Sequence, residues 1–326
     1  MNIRYFFRHP VPDYHSIEEL FYTIISHIPG SLKKSTYILP FISNGIFKRA
    51  ANIFSAAFNQ GEINHITGDI HYIALLMRKN KTLLTIHDVE IIKRKKGIKR
   101  AFILFFWFYL PAIRVKYITV ISEFTKKEIL EIINIKPSKI FVIPDCVNIP
   151  VSLLQKSFNS VCPTILHIGT KQNKNLVRLV KAIEGIQCKL IILGRLNKEQ
   201  ILLLNQKSVD YQNYFDLTYE KVIELYQASD ILSFISTYEG FGMPILEAQA
   251  VGIPVLASRS ASIPDVAGNG ALFINPYSIN EIRAGIINII NNNELRQILI
   301  ANGRKNAERY IVQNIVNQYI DLYKRM

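Results

Sequence analysis

Cysteine is scarce in this sequence. Cys146, Cys162 and Cys188 stand far apart, and none belongs to a Cys-x-x-Cys pair. That excludes a disulfide-stapled scaffold and a cysteine-clamped zinc site. The three read as small buried hydrophobes in a reducing compartment. Long apolar runs are missing as well. The longest charge-free one, residues 101–113, has 13 residues and contains Pro111, against about 20 for a membrane-spanning helix. The opening MNIRYFFRHP lacks the apolar run of a signal peptide. The expected location is therefore cytoplasmic, with any membrane contact peripheral. No internal repeat or low-complexity tract appears, and no Asp-x-Asp pair stands ready to hold a divalent ion.

Acid is the other shortage. Lys and Arg number 39 against 25 Asp and Glu, a net charge of +14. The imbalance is concentrated early: through residue 150 there are 21 basic and 11 acidic residues, and beyond it 18 and 14. Such asymmetry points to an anionic partner for the first half. Hydrophobic residues reach 49% of 326, enough for packed cores, and at about 150 residues per domain the length predicts two of them.

Short apolar runs alternate with amphipathic stretches. In the second half the runs are 164–169 (TILHIG), 189–194 (KLIILG), 211–215, 230–236 (DILSFIS), 254–258 and 271–275. Helical spacing occupies 175–186, 198–205, 220–228, 243–251 and 278–291, and two further helical stretches end the chain. The runs are apolar throughout rather than at alternate positions, as strands of a parallel sheet covered on both faces are. The first half repeats the pattern at 3–7, 36–39, 63–67, 82–86, 118–121 and 140–143, with a helix over 16–28 opened by a capping box of Ser16 and Glu19. The predicted architecture is α/β, two doubly wound Rossmann-like domains facing a central cleft, since ligands bind at the carboxyl ends of such sheets. Boundaries are expected at 1–150 for an N-terminal Rossmann-like domain, 151–163 for a linker and 164–310 for a second Rossmann-like domain. Residues 311–326 form a C-terminal helix able to pack back on the first domain.

The segment STYEGFGMPILE follows a predicted strand and opens a helix. Gly240 and Gly242 flank Phe241, Pro244 sits where a missing N–H does no harm, and Gly252 closes the helix. Uncapped amides and the positive end of the helix dipole make a phosphate site. Glu239 and Glu247, eight residues apart, are poor phosphate ligands but good acceptors for sugar and ribose hydroxyls. The plainer reading is a tight turn with one capping and one solvent-facing Glu.

EGFGMPILE resembles the Glu-x7-Glu motif of retaining GT-B glycosyltransferases, specifically family 4 (glycosyl transferases group 1). AQAVGIPVLASRSASIPDVAGNGALFINP, HIGTKQNKNLVRLVKA and IPDCVN are similar to that family's neighbouring segments. The resemblance implies that Glu247 binds the donor ribose, Glu239 the transferred sugar, and the backbone of Gly240, Phe241 and Gly242 sugar and diphosphate. It places Lys174 at the diphosphate, in the loop with Gly169 and Thr170. Many relatives add an Arg in that loop. Here Thr170 and Asn173 stand instead, and Arg195 is the candidate second cation. His87, in the His-Asp pair that ends TIHD, matches the family's histidine that contacts the donor sugar; Asp88 either orients it or caps the next segment. Ser122 and Thr125 read as helix caps. The N-terminus departs from the family's Gly-rich loop: Arg8, His9, Tyr14, His15 and Ser16 occupy its place, and Arg8, His15 and Ser16 are the acceptor-side candidates. The basic run KRKKGIKR enters AFILFFWFYLPAI, a combination suited to an acidic leaflet, the alternative being a core helix after a solvated loop.

The implied activity is transfer of a sugar, with retention, from a nucleotide diphosphate donor to a hydroxyl acceptor. The expected acceptor is a lipid-linked glycan in bacterial surface polysaccharide synthesis, O-antigen, capsule or exopolysaccharide. His87, Lys174 and Glu239 are the implied catalytic set, with no cofactor and no metal; domain closure would carry His87 to the sugar. Partners are the donor, the acceptor and an acidic membrane surface, with no nucleic acid. The rivals are a nucleotide-sugar epimerase on the same fold, for which no acid/base set assembles, and a non-catalytic nucleotide- or RNA-binding protein, which lacks an RNA-module signature.

Overall fold

A computed structural model describes residues 1–11, 16–93, 95–147, 149 and 157–326, without the side chain of Ser16. The chain divides into two compact units, Met1–Cys146 with Val312–Met326, and Val147–Ile311. Residues 151–156 of the expected linker lie outside the described residues, as do Tyr14 and His15.

The first unit carries strands β1 (Asn2–Phe7), β2 (Lys33–Ile38), β3 (Ile63–Ile66), β4 (Thr82–Ile86), β5 (Tyr117–Val120) and β6 (Ile140–Val142). Their helices are α1 (Ser16–His27), α2 (Ile46–Phe58), α3 (Glu90–Lys93), α4 (Gly97–Ile103), α5 (Leu110–Arg114) and α6 (Glu123–Ile132). All pairs are parallel, in the order β2-β1-β3-β4-β5-β6. Such crossovers are right-handed in nearly every case. The step from β1 to β2 runs one way and every later step the other, so α1 covers one face and α2 to α6 the opposite one. Side-chain alternation along β1 agrees: Tyr5 and Phe7 pack with Phe21 of α1, whereas Phe6 packs with Ala56, Phe108 and Ile129.

The second unit carries β7 (Thr164–Ile168), β8 (Lys189–Leu193), β9 (Asp210–Tyr214), β10 (Ile231–Phe234), β11 (Val255–Ser258) and β12 (Leu272–Ile274). Its helices are α7 (Leu176–Ile183), α8 (Lys198–Gln206), α9 (Tyr219–Ala228), α10 (Met243–Val251), α11 (Ile263–Ala267), α12 (Ile279–Asn291) and α13 (Asn293–Ala307). The order is β12-β11-β10-β7-β8-β9, again all parallel. Leu179 and Ile183 of α7 and Ile282 and Ile286 of α12 cover one face of the sheet over Ile165, Leu190 and Leu256.

The last helix, α14 (Val312–Lys324), returns to the first unit beside α1. A buried polar chain fixes it there. Tyr323 donates to the Tyr5 hydroxyl at 3.0 Å, which leaves its oxygen to accept from His65 Nδ1 at 2.7 Å. His65 Nε2 then accepts from Thr85 at 2.7 Å, and Thr85 bonds Thr119 at 2.7 Å. Burial pushes His65 down to about 3, so it stays neutral. Tyr323→Phe strips His65 of its acceptor in a dry core and should cost about 1–3 kcal/mol, read as a lowered midpoint in urea unfolding followed by tyrosine absorbance.

Candidate functional site

Strand order in the second unit reverses between β7 and β10. Loops leaving the carboxyl ends of those two strands diverge, and the gap between them is where doubly wound sheets take ligands. The loop after β7 carries Gly169, Thr170 and Lys174; the loop after β10 carries Glu239 and leads into α10. Lys174 Nζ meets Glu239 Oε1 at 2.6 Å, with both side chains largely buried. The ammonium also lies 5.3 Å from the centre of the Phe234 ring. Gly169 has φ +91°, and a Cβ there would meet the Lys174 stem at 2.8 Å. Only glycine gives that stem its path along the strand end.

Hydrogen bonds brace the two loops. Thr237 N–H donates to the Asn173 carbonyl at 2.8 Å, and Asn173 Nδ2 to the Tyr238 carbonyl at 3.1 Å. Ser262 donates to the carbonyls of Glu239 and Phe241 at 2.9 and 2.7 Å. The Phe241 ring is buried against Tyr310, so only its backbone is left to meet a ligand. α10 begins at Gly242 with no side chain capping it, and Pro244 sits in its first turn. The first amides of this helix therefore have no side-chain acceptor.

Glu247 lies one turn into α10 and accepts from Tyr226 at 2.6 Å and from Tyr219 at 3.4 Å. Burial raises its pKa, against the pull of the two phenols. Neither acid is the capping or solvent-facing residue of the plainer reading: Glu239 holds a lysine and Glu247 two tyrosines. The sequence reading missed Tyr219 and Tyr226. Their signal was a spacing of seven on one amphipathic helix, two turns apart on the same face. Ser262 was missed as well, since no motif or spacing marks it.

The other donor candidates are spent locally. Thr170 donates to the Arg195 carbonyl at 2.7 Å and accepts on its own carbonyl from Gln200 at 2.7 Å. The exposed Arg195 guanidinium pairs with Asp216 and lies 4.6 Å from the Phe215 ring centre. Its charge is already matched, which weighs against a second diphosphate cation.

In the first unit the order reverses between β1 and β3. Arg8 follows β1 and forms a bidentate bond to Glu18 at 2.8 and 3.0 Å and another to Asp69, after β3, at 2.6 Å. Gly68 has φ +148°, and a Cβ there would meet the His87 ring at 2.8 Å, so the glycine admits the imidazole against the turn. His87 Nε2 donates to the Thr67 carbonyl at 2.8 Å, and Nδ1 faces Asp145 at 4.0 Å. Asp88 accepts from the Glu90 amide at 2.9 Å, so it caps the next segment. Ser122 caps α6 through the Thr125 amide. Arg8, Asp69, His87 and Asp88, with Ile42, Phe102, Phe106 and Trp107, line a hollow of about 500 Å³. Of the acceptor-side candidates, His15 and the Ser16 side chain lie outside the described residues. Among the described residues no cluster of three His, Cys, Asp or Glu side chains is arranged to hold a metal, and no helix is long and apolar enough to cross a membrane.

Residues 156–306 match the family described as glycosyl transferases group 1. This segment contains Lys174, Glu239 and Glu247 together with the loops that hold them. Most of the second unit thus matches the glycosyl transferases group 1 family. The chain is also 27% identical over 235 residues to O-antigen chain mannosyltransferase B of Escherichia coli, 64% of this chain and 60% of that protein. It thus spans 60% of the length of the curated relative it matches. Among solved structures, Anabaena Alr3699/HepE in complex with UDP and glucose superposes with a TM-score of 0.79 at 15% identity, covering 100% of both chains. Sucrose-phosphate synthase from Thermosynechococcus elongatus gives 0.78 at 14%, covering 100% of this chain and 99% of its own. At such identities the likeness is one of fold, and the fold is GT-B.

Asp145 supplies a test of the first unit's charge balance. Burial lifts its pKa to about 6, and His87 pulls it down only in part. A carboxyl with a raised native pKa favours folding while protonated. That contribution is lost as pH climbs from about 4 through 6 and stays constant above. Asp145→Asn should therefore gain on the unmodified chain across that interval, by roughly 2–3 kcal/mol at pH 7, with the two converging near pH 4. Urea unfolding of both proteins at pH 4, 6 and 8 measures the gap.

Proposed function

We propose that the protein is a retaining glycosyltransferase that moves a sugar from a nucleotide diphosphate donor to a hydroxyl of a lipid-linked glycan. The observation that carries this is the Lys174–Glu239 pair beside the uncapped start of α10, inside the domain that matches the family. A diphosphate taking its place there meets one cation and the positive end of a nine-residue helix. As the glycosyl C–O bond breaks, negative charge grows on the departing phosphate, and Lys174 stabilises it. Once Lys174 turns to phosphate, the carboxylate of Glu239 is released to accept hydroxyls of the transferred sugar. Glu247, oriented by Tyr226, accepts from the ribose.

Front-face attack retains configuration: the acceptor oxygen bonds the anomeric carbon while the leaving phosphate takes the acceptor proton. The backbone amides and Lys174 do the charge work, so the reading calls for no resident metal. In the first unit, the hollow lined by Arg8, Asp69 and His87 is assigned to the acceptor, with His87 oriented by Thr67 and Asp145. Likeness to an O-antigen chain mannosyltransferase puts mannosyl donors first in the series to test and a surface polysaccharide first among products. The basic segment 93–100 and the helix after it are assigned to an acidic leaflet that presents the acceptor.

A thermal-shift series of UDP-, GDP- and dTDP-sugars tests the donor site. A bound donor at about 100 times its Kd adds about 2.7 kcal/mol of stability. Glu247→Ala should weaken donor binding, and Lys174→Ala should cut turnover by about tenfold or more. Unchanged kinetics in both variants would remove the assignment.

A further inference from the structure

Helix α2 is built the wrong way round for a helix that only covers a sheet. Its inner face turns Asn52 and Ala56 to the core, and Asn52 Nδ2 bonds the Phe41 carbonyl at 2.8 Å and Tyr72 at 3.0 Å. Its outer face carries Phe47, Phe54 and Phe58, which are 91%, 56% and 86% exposed. Offsets of seven and eleven residues return to within about 20° of the same direction at 100° per residue. The three rings therefore form one stripe pointing away from the sheet, beside Ile46 at the helix start, itself 77% exposed. A soluble surface rarely gathers such a patch without a partner.

Right-handed crossovers put α2 on the same face of the sheet as α4 and the π-helical turn Leu104–Tyr109. There Ile98, Phe102, Phe105 and Phe106 are also exposed, while Phe108 is buried and Trp107 packs on Tyr72. The charge along both segments has a single sign. No Asp or Glu occurs between Glu19 and Glu62, nor between Glu90 and Glu123, and these intervals contain Lys48, Lys95, Lys96, Lys99 and Arg100.

We propose that α2 is a second membrane-binding element, whose Phe47, Phe54 and Phe58 enter an anionic bilayer while the lysines beside both elements engage the headgroups. This rests on the acidic-leaflet reading above and goes beyond it by adding an element that the basic run does not include. Aromatic rings at the acyl boundary with cations at headgroup level are what such a surface accepts. A second copy of the chain fits poorly, because mating this face with itself sets like charges together with no acid in either interval.

The test is flotation of the full-length protein with vesicles of phosphatidylcholine, with and without phosphatidylglycerol. Wild type should float only with the anionic vesicles. The Phe47→Ser/Phe58→Ser variant, altered at two exposed positions, should bind them roughly tenfold less or weaker still, with its donor-induced thermal shift unchanged. Full binding by this variant overturns the role of α2. So does a change from dimer to monomer in sedimentation with flotation unaltered. If wild type fails to float, the leaflet reading falls as well, while a donor-induced thermal shift in the same preparation would leave the glycosyltransferase reading standing.

Discussion

Lys174 and Glu239 are 65 positions apart and meet at 2.6 Å. The rest of the candidate site depends on that contact. A lysine and a glutamate held largely out of water are tolerable only together, since removing either strands the other's charge. The pair therefore ties the loop after β7 to the loop after β10 at the place where strand order reverses. Asn173 and Ser262 supply the backbone bracing, and Gly169 supplies the room. The result is a cation and a helix start presented on two short, mutually braced loops at the ends of central strands. Such placement spares both groups reorganisation should charge develop beside them.

The first unit uses the same topology with a different balance. Its reversal lies between β1 and β3, and Arg8 crosses it to reach Asp69. Here the cation is answered by two carboxylates, Glu18 and Asp69. A site saturated in this way has little left to offer a phosphate but ample hydrogen-bonding groups for hydroxyls. The proposed transfer would set an anionic donor against the Lys174–Glu239 site and a neutral sugar hydroxyl against the Arg8 site.

Much of this was legible in the sequence. Buried parallel strands announce themselves as short apolar runs, and all twelve strands fall on expected segments. α10 runs from Met243 to Val251 as read, because Pro244 and Gly252 bracket it. Predicted helix 175–186 is shorter, ending at Ile183, with Asn175 in a left-handed conformation at its start. What stayed hidden was tertiary. The partners of Glu247 come from another helix, and the tie between Lys174 and Glu239 joins two separate loops. Helix α2 escaped because its three phenylalanines lie on the outer face, and periodicity alone says nothing about which side is buried. Arg195 looked like a free cation only because Asp216, 21 residues on, was not recognised as its partner.

The account stands on one location for the donor diphosphate, the paired loops after β7 and β10. Backbone hydrogen exchange, followed by mass spectrometry with and without a stabilising nucleotide-sugar, reports on that location directly. Slowed exchange confined chiefly to residues 169–175 and 238–246 is the predicted result. Protection elsewhere in the chain, with both loops exchanging as fast as before, would contradict it.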